Sequence, residues 1–286
     1  MRSQWECLLQ NLGCWQGSFT RLSTEGGILE DIPSETTLEL KEDNRTVRQV
    51  VRRFYDGQPD DLVLEYCSIN KSTGFFESGA FSQGALQFAP YTDFGAELGL
   101  IYGDRRMRIV ILYDKSQLDR FTFIREHLPN STTPERPPLT LEALLGKWEG
   151  ESVTLAADWL VPESTPTTTE WKREGDRVIM SLQMPTPAGN QTFDSIAHVD
   201  PLNPQILHFQ QSIQQISQQN QDLGIQTIFL PDGASITCPQ AIANRQQFRL
   251  SISWLLEPNL HQRMIRSYDS KGAWSSISLV TERKVG

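Results

Sequence analysis

The chain has 286 residues, enough for two domains that each bury a core of their own, and its 38% hydrophobic and 21% charged residues are the balance of a soluble globular protein. A formal net charge of −9 counts against nucleic acid as a partner, because phosphate recognition needs a basic footprint. No apolar run approaches the roughly 18 residues of a membrane span.

Near the N-terminus, Glu6 and Asn11 interrupt the only apolar segment, so no secretion signal is read there. Cys7, Cys14, Cys67 and Cys238 are scattered with no Cys-x-x-Cys pair. They are expected as free thiols in a reducing cytoplasm, with neither disulfide nor zinc.

In chain order, residues 4–12 place Trp5, Leu8, Leu9 and Leu12 on one helical face. A helix of about two turns is not stable alone in water, so it is expected to plug one end of the first β-unit. From Trp15 to Leu22 the alternation has period two, with Trp15, Gly17 and Phe19 on one face. Strands are then predicted over 36–42, 46–55, 62–69, 73–77, 105–113 and 118–126, with 62–69 and 73–77 read as a hairpin around Asn70-Lys71. Frequent glycines between Gly79 and Gly103 suit the bends of a curved sheet, and none builds a phosphate loop.

Residues 129–139 form a Pro-rich linker. A second series comes after it: Leu141, Leu144 and Leu145 behind Thr140 as N-cap, then Trp148 opening a strand. Thr168–Lys172 is aligned with Thr37–Lys41, and residues 247–256, 262–268 and 274–283 finish the chain as strands. The glutamine-rich stretch 209–221 breaks the symmetry and is read as a hairpin with an extended tip.

The two halves share one motif. Leu12-Gly13-Cys14-Trp15-Gln16-Gly17 and Leu145-Gly146-Lys147-Trp148-Glu149-Gly150 both read Leu-Gly-x-Trp-x-Gly, after an apolar helical run and before a β-rich stretch. Short strands in meander order favour closed barrels, which leave no exposed edge. The fold expected is therefore all-β: two tandem antiparallel up-and-down β-barrels, each led by a short helix, over 1–128 and 140–286.

Gly-x-Trp opening the first strand resembles the signature of the calycin superfamily, the lipocalin and fatty-acid-binding-protein-like barrels. That resemblance implies a tryptophan at the closed end with an arginine from near the last strand across it. Trp15 and Trp148 are then structural, with Arg125 and Arg283 as the arginines. Phe76-Glu77-Ser78-Gly79-Ala80-Phe81-Ser82 and Gly103-Asp104-Arg105-Arg106-Met107-Arg108 resemble an uncharacterised, largely cyanobacterial family of tandem calycin domains. Haem barrels of the nitrobindin kind also begin with Gly-x-Trp, but Ser18-Phe19-Thr20-Arg21 departs from their glycine pattern.

No Gly-x-Ser-x-Gly is present, and His127, His198, His208 and His261 form no ligand pattern, although His198 and His208 could meet across a hairpin near Asp200. The reading leans away from an enzyme, and no cofactor is required. Glu97, Arg106 and Arg108 are the candidate ligand-binding residues, because an arginine fork binds a carboxylate bidentately. The alternative is an outward ladder of ion pairs. A binding protein for a small hydrophobic or amphipathic molecule inside a barrel is preferred. The resemblance also admits a phycobiliprotein-lyase-like bilin chaperone acting on a partner protein, and the duplication admits an interaction module with filled barrels.

Overall fold

The computed structural model describes residues 2–158, 161–186, 189–210 and 224–285. The chain divides into two compact units. The first comprises Met1–Ala85, Gly95–Leu112 and Asp119–Pro134; the second comprises Leu86–Phe94, Tyr113–Leu118 and Glu135–Gly286. Two excursions from the N-terminal half thus belong to the second unit. Both units are almost wholly antiparallel strand, as the period-two alternation predicts.

The first unit opens with helix α1 (Gln4–Leu8), closed by a capping box in which Ser3 and Glu6 satisfy each other's backbone N–H groups. Five residues cannot hold a helix in isolation. Its Cys7 and Leu8 pack in one core with Trp15, Leu38, Val47, Phe75 and Phe81. Nine strands come next: β1 (Gly13–Leu22), β2 (Ile28–Leu40), β3 (Val47–Tyr55), β4 (Gln58–Tyr66), β5 (Thr73–Phe75), β6 (Phe81–Gly84), β7 (Phe94–Tyr102), β8 (Arg105–Asp114) and β9 (Gln117–His127).

They form one sheet in the order β4-β3-β2-β1-β9-β8-β7-β6-β5. The hairpin predicted from residues 62–69 and 73–77 is not formed, since β4 and β5 lie at opposite ends. The short β5 is held elsewhere: it pairs with β6, and the Gln4 amide accepts from Phe75 N–H at 2.7 Å and donates to Phe75 C=O at 2.9 Å. The sheet is therefore a curled half-barrel, where the sequence led us to expect hydrogen-bonded closure.

The second unit begins with α2 (Leu141–Leu144), whose N-cap Thr140 accepts from Ala143 N–H as predicted. Ten strands complete it: β10 (Gly146–Ala156), β11 (Glu163–Glu174), β12 (Arg177–Thr186), β13 (Gly189–Val199), β14 (Ile206–Phe209), β15 (Ile225–Phe229), β16 (Ala234–Pro239), β17 (Phe248–Glu257), β18 (Leu260–Tyr268) and β19 (Trp274–Val285). They make a closed barrel in sequence order, sealed by β10 against β19.

Leu141, Leu144, Trp148, Trp171, Val178, Ala197, Leu207 and Phe229 fill one end. On the outer wall Phe248 stacks on Tyr268 at 4.7 Å, and Phe94 meets both edge-on. Three residues of the Pro-rich stretch are bound into this unit: Leu139 is buried, Arg136 Nε donates to Leu256 C=O at 2.8 Å, and Pro137 C=O accepts from Gly233 N–H at 2.8 Å. Of the glutamine-rich stretch, residues 211–221 lie outside the described residues; the strands on either side of it, β14 and β15, pair with each other. No described helix is long and apolar enough to cross a membrane.

Candidate functional site

The repeated motif produces the same geometry twice. Gly13 and Gly146 adopt φ of 132° and 107°, a region glycine enters without steric cost. The chain turns there from the helical leader into the strand. The tryptophan two residues on points inward, and its indole N–H donates back to the leader: Trp15 Nε1 to Asn11 C=O at 2.9 Å, Trp148 Nε1 to Leu144 C=O at 2.7 Å. Each bond satisfies a helix-end carbonyl and the one polar atom of a buried indole.

The second motif glycine exists for what lies beside it. A Cβ on Gly17 would come within 2.9 Å of Glu126 Cα and closer still to the Arg125 carbonyl; on Gly150 it would come within 2.7 Å of Glu282 Cα and closer to the Thr281 carbonyl. In register, Gly17 faces Glu126 and Gly150 faces Glu282. The motif therefore lets the first strand approach the last where that strand turns a glutamate inward. Both glutamates are buried, with exposures of 0% and 1%.

In the first unit the glutamate meets two arginines of β8. Arg106 Nε donates to Glu126 at 2.7 Å, and Arg108 donates through Nε at 3.0 Å and Nη2 at 2.9 Å. Arg108 Nη1 donates to Glu97 at 2.6 Å, and Gln83 donates to the other Glu97 oxygen at 2.7 Å. Arg106 lies over the Trp15 ring at 4.5 Å and Arg108 over Phe19 at 5.5 Å. Burial alone would raise the Glu126 carboxyl, but the two guanidinium charges outweigh it and hold it at about 2.

The arginines are not equally served. All three Arg108 nitrogens are bonded, and Glu126 and Glu97 push it up against the effect of burial. Arg106 Nη2 has no partner among the described residues, and burial pulls this arginine down despite Glu126. Ser34 Oγ and Thr36 Oγ1 are likewise buried without partners. Ser34 faces Gly17 and Thr36 faces Trp15 across the β1–β2 ladder. Arg106 Nη2, Ser34 Oγ and Thr36 Oγ1 thus lie unmatched on the face that carries Trp15, and Arg53 Nε, opposite Ser34 in register, is a fourth. Along the same face of β3 and β4 run Val51, Leu62 and Leu64, the two leucines 48% and 42% exposed.

The second unit repeats the plan with different chemistry. Thr167 and Thr169 reach over Gly150 to Glu282 at 3.2 and 2.6 Å, so here the hydroxyls are satisfied. Arg263 supplies one cation at 3.3 Å. His261, opposite Glu282 in register, is buried with its ring 5.6 Å from Trp148. Burial, reinforced by Arg263, drives His261 down from 6.5 to about 3. The unfolded chain then binds a proton that the folded chain refuses between these values. Stability accordingly falls as pH drops through 6.5 toward 3, by about 1.4 kcal/mol per pH unit once below 6.5. Urea titrations at pH 7 and pH 5 should show this loss in the natural chain and a smaller one in His261→Gln; equal losses would clear the histidine of any part in it.

The structure brings Glu97, Arg106 and Arg108 together on the inner face rather than in an outward ladder. It places the arginines named from the resemblance elsewhere. Arg125 lies over Phe123 at 5.3 Å and bonds Thr20 at 3.3 Å, and Arg283 is exposed. The cations at the tryptophans are Arg106 and, at 5.3 Å from the Trp148 ring, Lys284. Sequence reasoning missed Glu126 and Glu282, one residue from the arginines it chose. The paired registers also align Thr36 with Thr169, two positions from the alignment of 37–41 with 168–172. His198 and His208 do face each other across β13 and β14, each bonded to an aspartate, Asp176 at 3.0 Å and Asp200 at 2.8 Å. Among the described residues no group of three metal-ligating side chains converges.

Two antiparallel β-units, each plugged by a tryptophan and carrying a buried glutamate opposite the second motif glycine, define a duplicated all-β protein with one curled half-barrel and one closed barrel. Its N-terminal half, residues 1–131, matches the model of the N-terminal part of DUF3598, a domain of unknown function. Residues 135–285 match the C-terminal domain of the biogenesis factor required for ATP synthase 1. The crystal structure of a DUF3598-family protein of unknown function from Nostoc punctiforme PCC 73102 is 40% identical, covers 100% of both chains and superposes with a TM-score of 0.89. The chain belongs to the DUF3598 family. An S-type phycobiliprotein lyase from Guillardia theta is similar at 12% identity over 51% of this chain and 90% of its own, with a TM-score of 0.41. No curated protein matches.

Proposed function

We propose that the protein is a non-catalytic binding protein that holds a small amphipathic ligand on the inner face of its first unit. The acid group of the ligand is bonded by Arg106, Ser34 and Thr36 on the face that carries Trp15, with Arg108 adding charge and Glu97 fixing Arg108. The apolar part runs along Val51, Leu62 and Leu64. One observation carries this reading: three buried donors without partners, Arg106 Nη2, Ser34 Oγ and Thr36 Oγ1, share a face with exposed leucines. Unmatched buried donors are costly in the empty protein, and a ligand oxygen removes that cost. Such a site is compatible with a calycin barrel, and a linear tetrapyrrole offers the same carboxylate chemistry through its propionates.

The test is the double variant Ser34→Ala, Thr36→Val. Removing two unsatisfied hydroxyls should leave the empty protein as stable as before or slightly more so. Affinity for a fluorescent polyene fatty acid should fall roughly tenfold or more, the loss of at least one charge-assisted hydrogen bond. Unchanged affinity would refute the site, and an absorbance change on titration with a bilin would identify the ligand as tetrapyrrole. The match of residues 135–285 to a biogenesis factor supports a second reading, in which the second unit engages a protein under assembly; co-purification of a defined complex subunit would establish it.

A further inference from the structure

We infer that the closed second barrel holds a ligand of its own, and that this ligand is uncharged. The registers place one set of side chains on the face that carries Trp148. On one wall these are hydroxyls, paired across strands: Thr154 with Ser278 at 2.8 Å, Thr227 with Thr237 at 2.6 Å and Ser235 with Ser253 at 2.7 Å. On the facing wall β12 contributes Met180, Leu182 and Met184.

Burial along this face is uneven: Thr227, Ser235 and Ser253 are buried, while other inward side chains are less buried than several outward ones. The outward side chains Ile236, Ile252, Met264 and Ile277 are buried, at 1% exposure or less. The inward Thr154, Met180, Leu182, Met184, Ser251 and Ser278 are all partly exposed. This partial exposure points to solvent reaching the lumen above the core at the Trp148 end, where the small hydroxyl side chains occupy little space. A barrel of this size either fills with side chains or holds one small ligand.

The guanidinium at the floor is offset: Arg263 is paired with Glu282, and burial keeps His261 uncharged at neutral pH. Lys284 keeps its charge at the plug, where it donates to the Ala143 carbonyl at 3.2 Å. Two polar atoms at the floor lack partners among the described residues: His261 Nε2, on a side chain 2% exposed, and Arg263 Nε. Both offer a hydrogen bond without offering net charge. An apolar molecule with one carbonyl or hydroxyl fits this lining. An anion fits less well, because the lining is otherwise apolar or hydroxyl and Glu282 stands beside the one guanidinium.

Two dyes that share an anilinonaphthalene skeleton test this in the full chain: neutral N-phenyl-1-naphthylamine, and its sulfonated analogue 1-anilinonaphthalene-8-sulfonate. The neutral dye should bind at least roughly tenfold more tightly. Ser251→Phe puts a ring into the lumen. It should abolish the neutral dye's binding while moving the melting midpoint by less than about 4 °C. Ser278→Leu, from another strand, should do the same. The double variant Ser34→Ala, Thr36→Val should leave the neutral dye's binding unchanged, so this inference and the first-unit reading fail separately. Collapse of both lumen variants would show a packed interior, and retained dye binding in both would place the dye elsewhere. Equal affinity for the two dyes would refute the preference for a neutral ligand.

Discussion

Replacing Glu126 by glutamine is expected to destabilise the first unit by about 3–5 kcal/mol, the range for breaking a buried ion pair from one side. The size reflects the groups left behind. Arg106 and Arg108 have side-chain exposures of 3% and 8%, and Glu126 is the one carboxylate that bonds both. Without it, Arg108 keeps only Glu97 as an ion-pair partner among the described residues, and Arg106 keeps only the 3.4 Å hydrogen bond to Asn11. A guanidinium cannot shed its proton to escape the desolvation penalty. The corresponding Glu282→Gln change should cost less, since one arginine and two hydroxyls depend on that carboxylate. Urea unfolding at neutral pH measures both, and a loss below about 1 kcal/mol for Glu126→Gln would show that the pairs are surface-like. The same carboxyl adds an acid limb. Its folded value of about 2 lies below the ordinary 4.5, so the stability it confers is complete above 4.5 and is lost as pH falls from there toward 2.

Gly17→Ala and Gly150→Ala should each cost roughly 3 kcal/mol or more, at the upper end for overpacking. The added methyl would meet backbone: the Arg125 and Thr281 carbonyls and the Glu126 and Glu282 Cα atoms. Backbone in a paired sheet cannot rotate aside as a side chain can, so relief requires separating β1 from β9, or β10 from β19. In the second unit that is the seam where the barrel closes. Gly150→Ala should therefore also speed amide exchange along β10 and β19, while Gly17→Ala acts on β1 and β9. Thermal unfolding with hydrogen exchange reads both effects. A fully stable Gly150→Ala would mean the seam can open at little cost.

The motif that organises each half was legible because its causes are local. A short apolar leader, a glycine at the turn and an inward tryptophan all act within six residues. The facing of the last strand was not legible. In β9, Phe121, Phe123, Ile124 and Glu126 are all buried, and in β19 Ile277, Leu279, Val280 and Glu282 are. A strand buried on both faces gives alternation no phase to report. The resemblance pointed instead to Arg125 and Arg283, one residue from the glutamates that face the motif glycines. The 62–69/73–77 hairpin failed for a related reason. A turn signal between two runs says they can pair, but β5 found a better partner in β6 and in the Gln4 side chain, which no local pattern records.

The amino-acid sequence alone determined the class of fold and the duplication, since these stem from periodicity and from short-range geometry. It also brought Glu97, Arg106 and Arg108 forward, because charged residues in apolar alternation stand out. Only the tertiary structure decided that the first sheet stays open while the second closes, that Glu126 and Glu282 take the inward positions, and that Ser34 and Thr36 are left unmatched where Thr167 and Thr169 are not. Each of these depends on which strands become neighbours, and strand pairing is settled by the combined burial and hydrogen bonding of residues far apart in the chain.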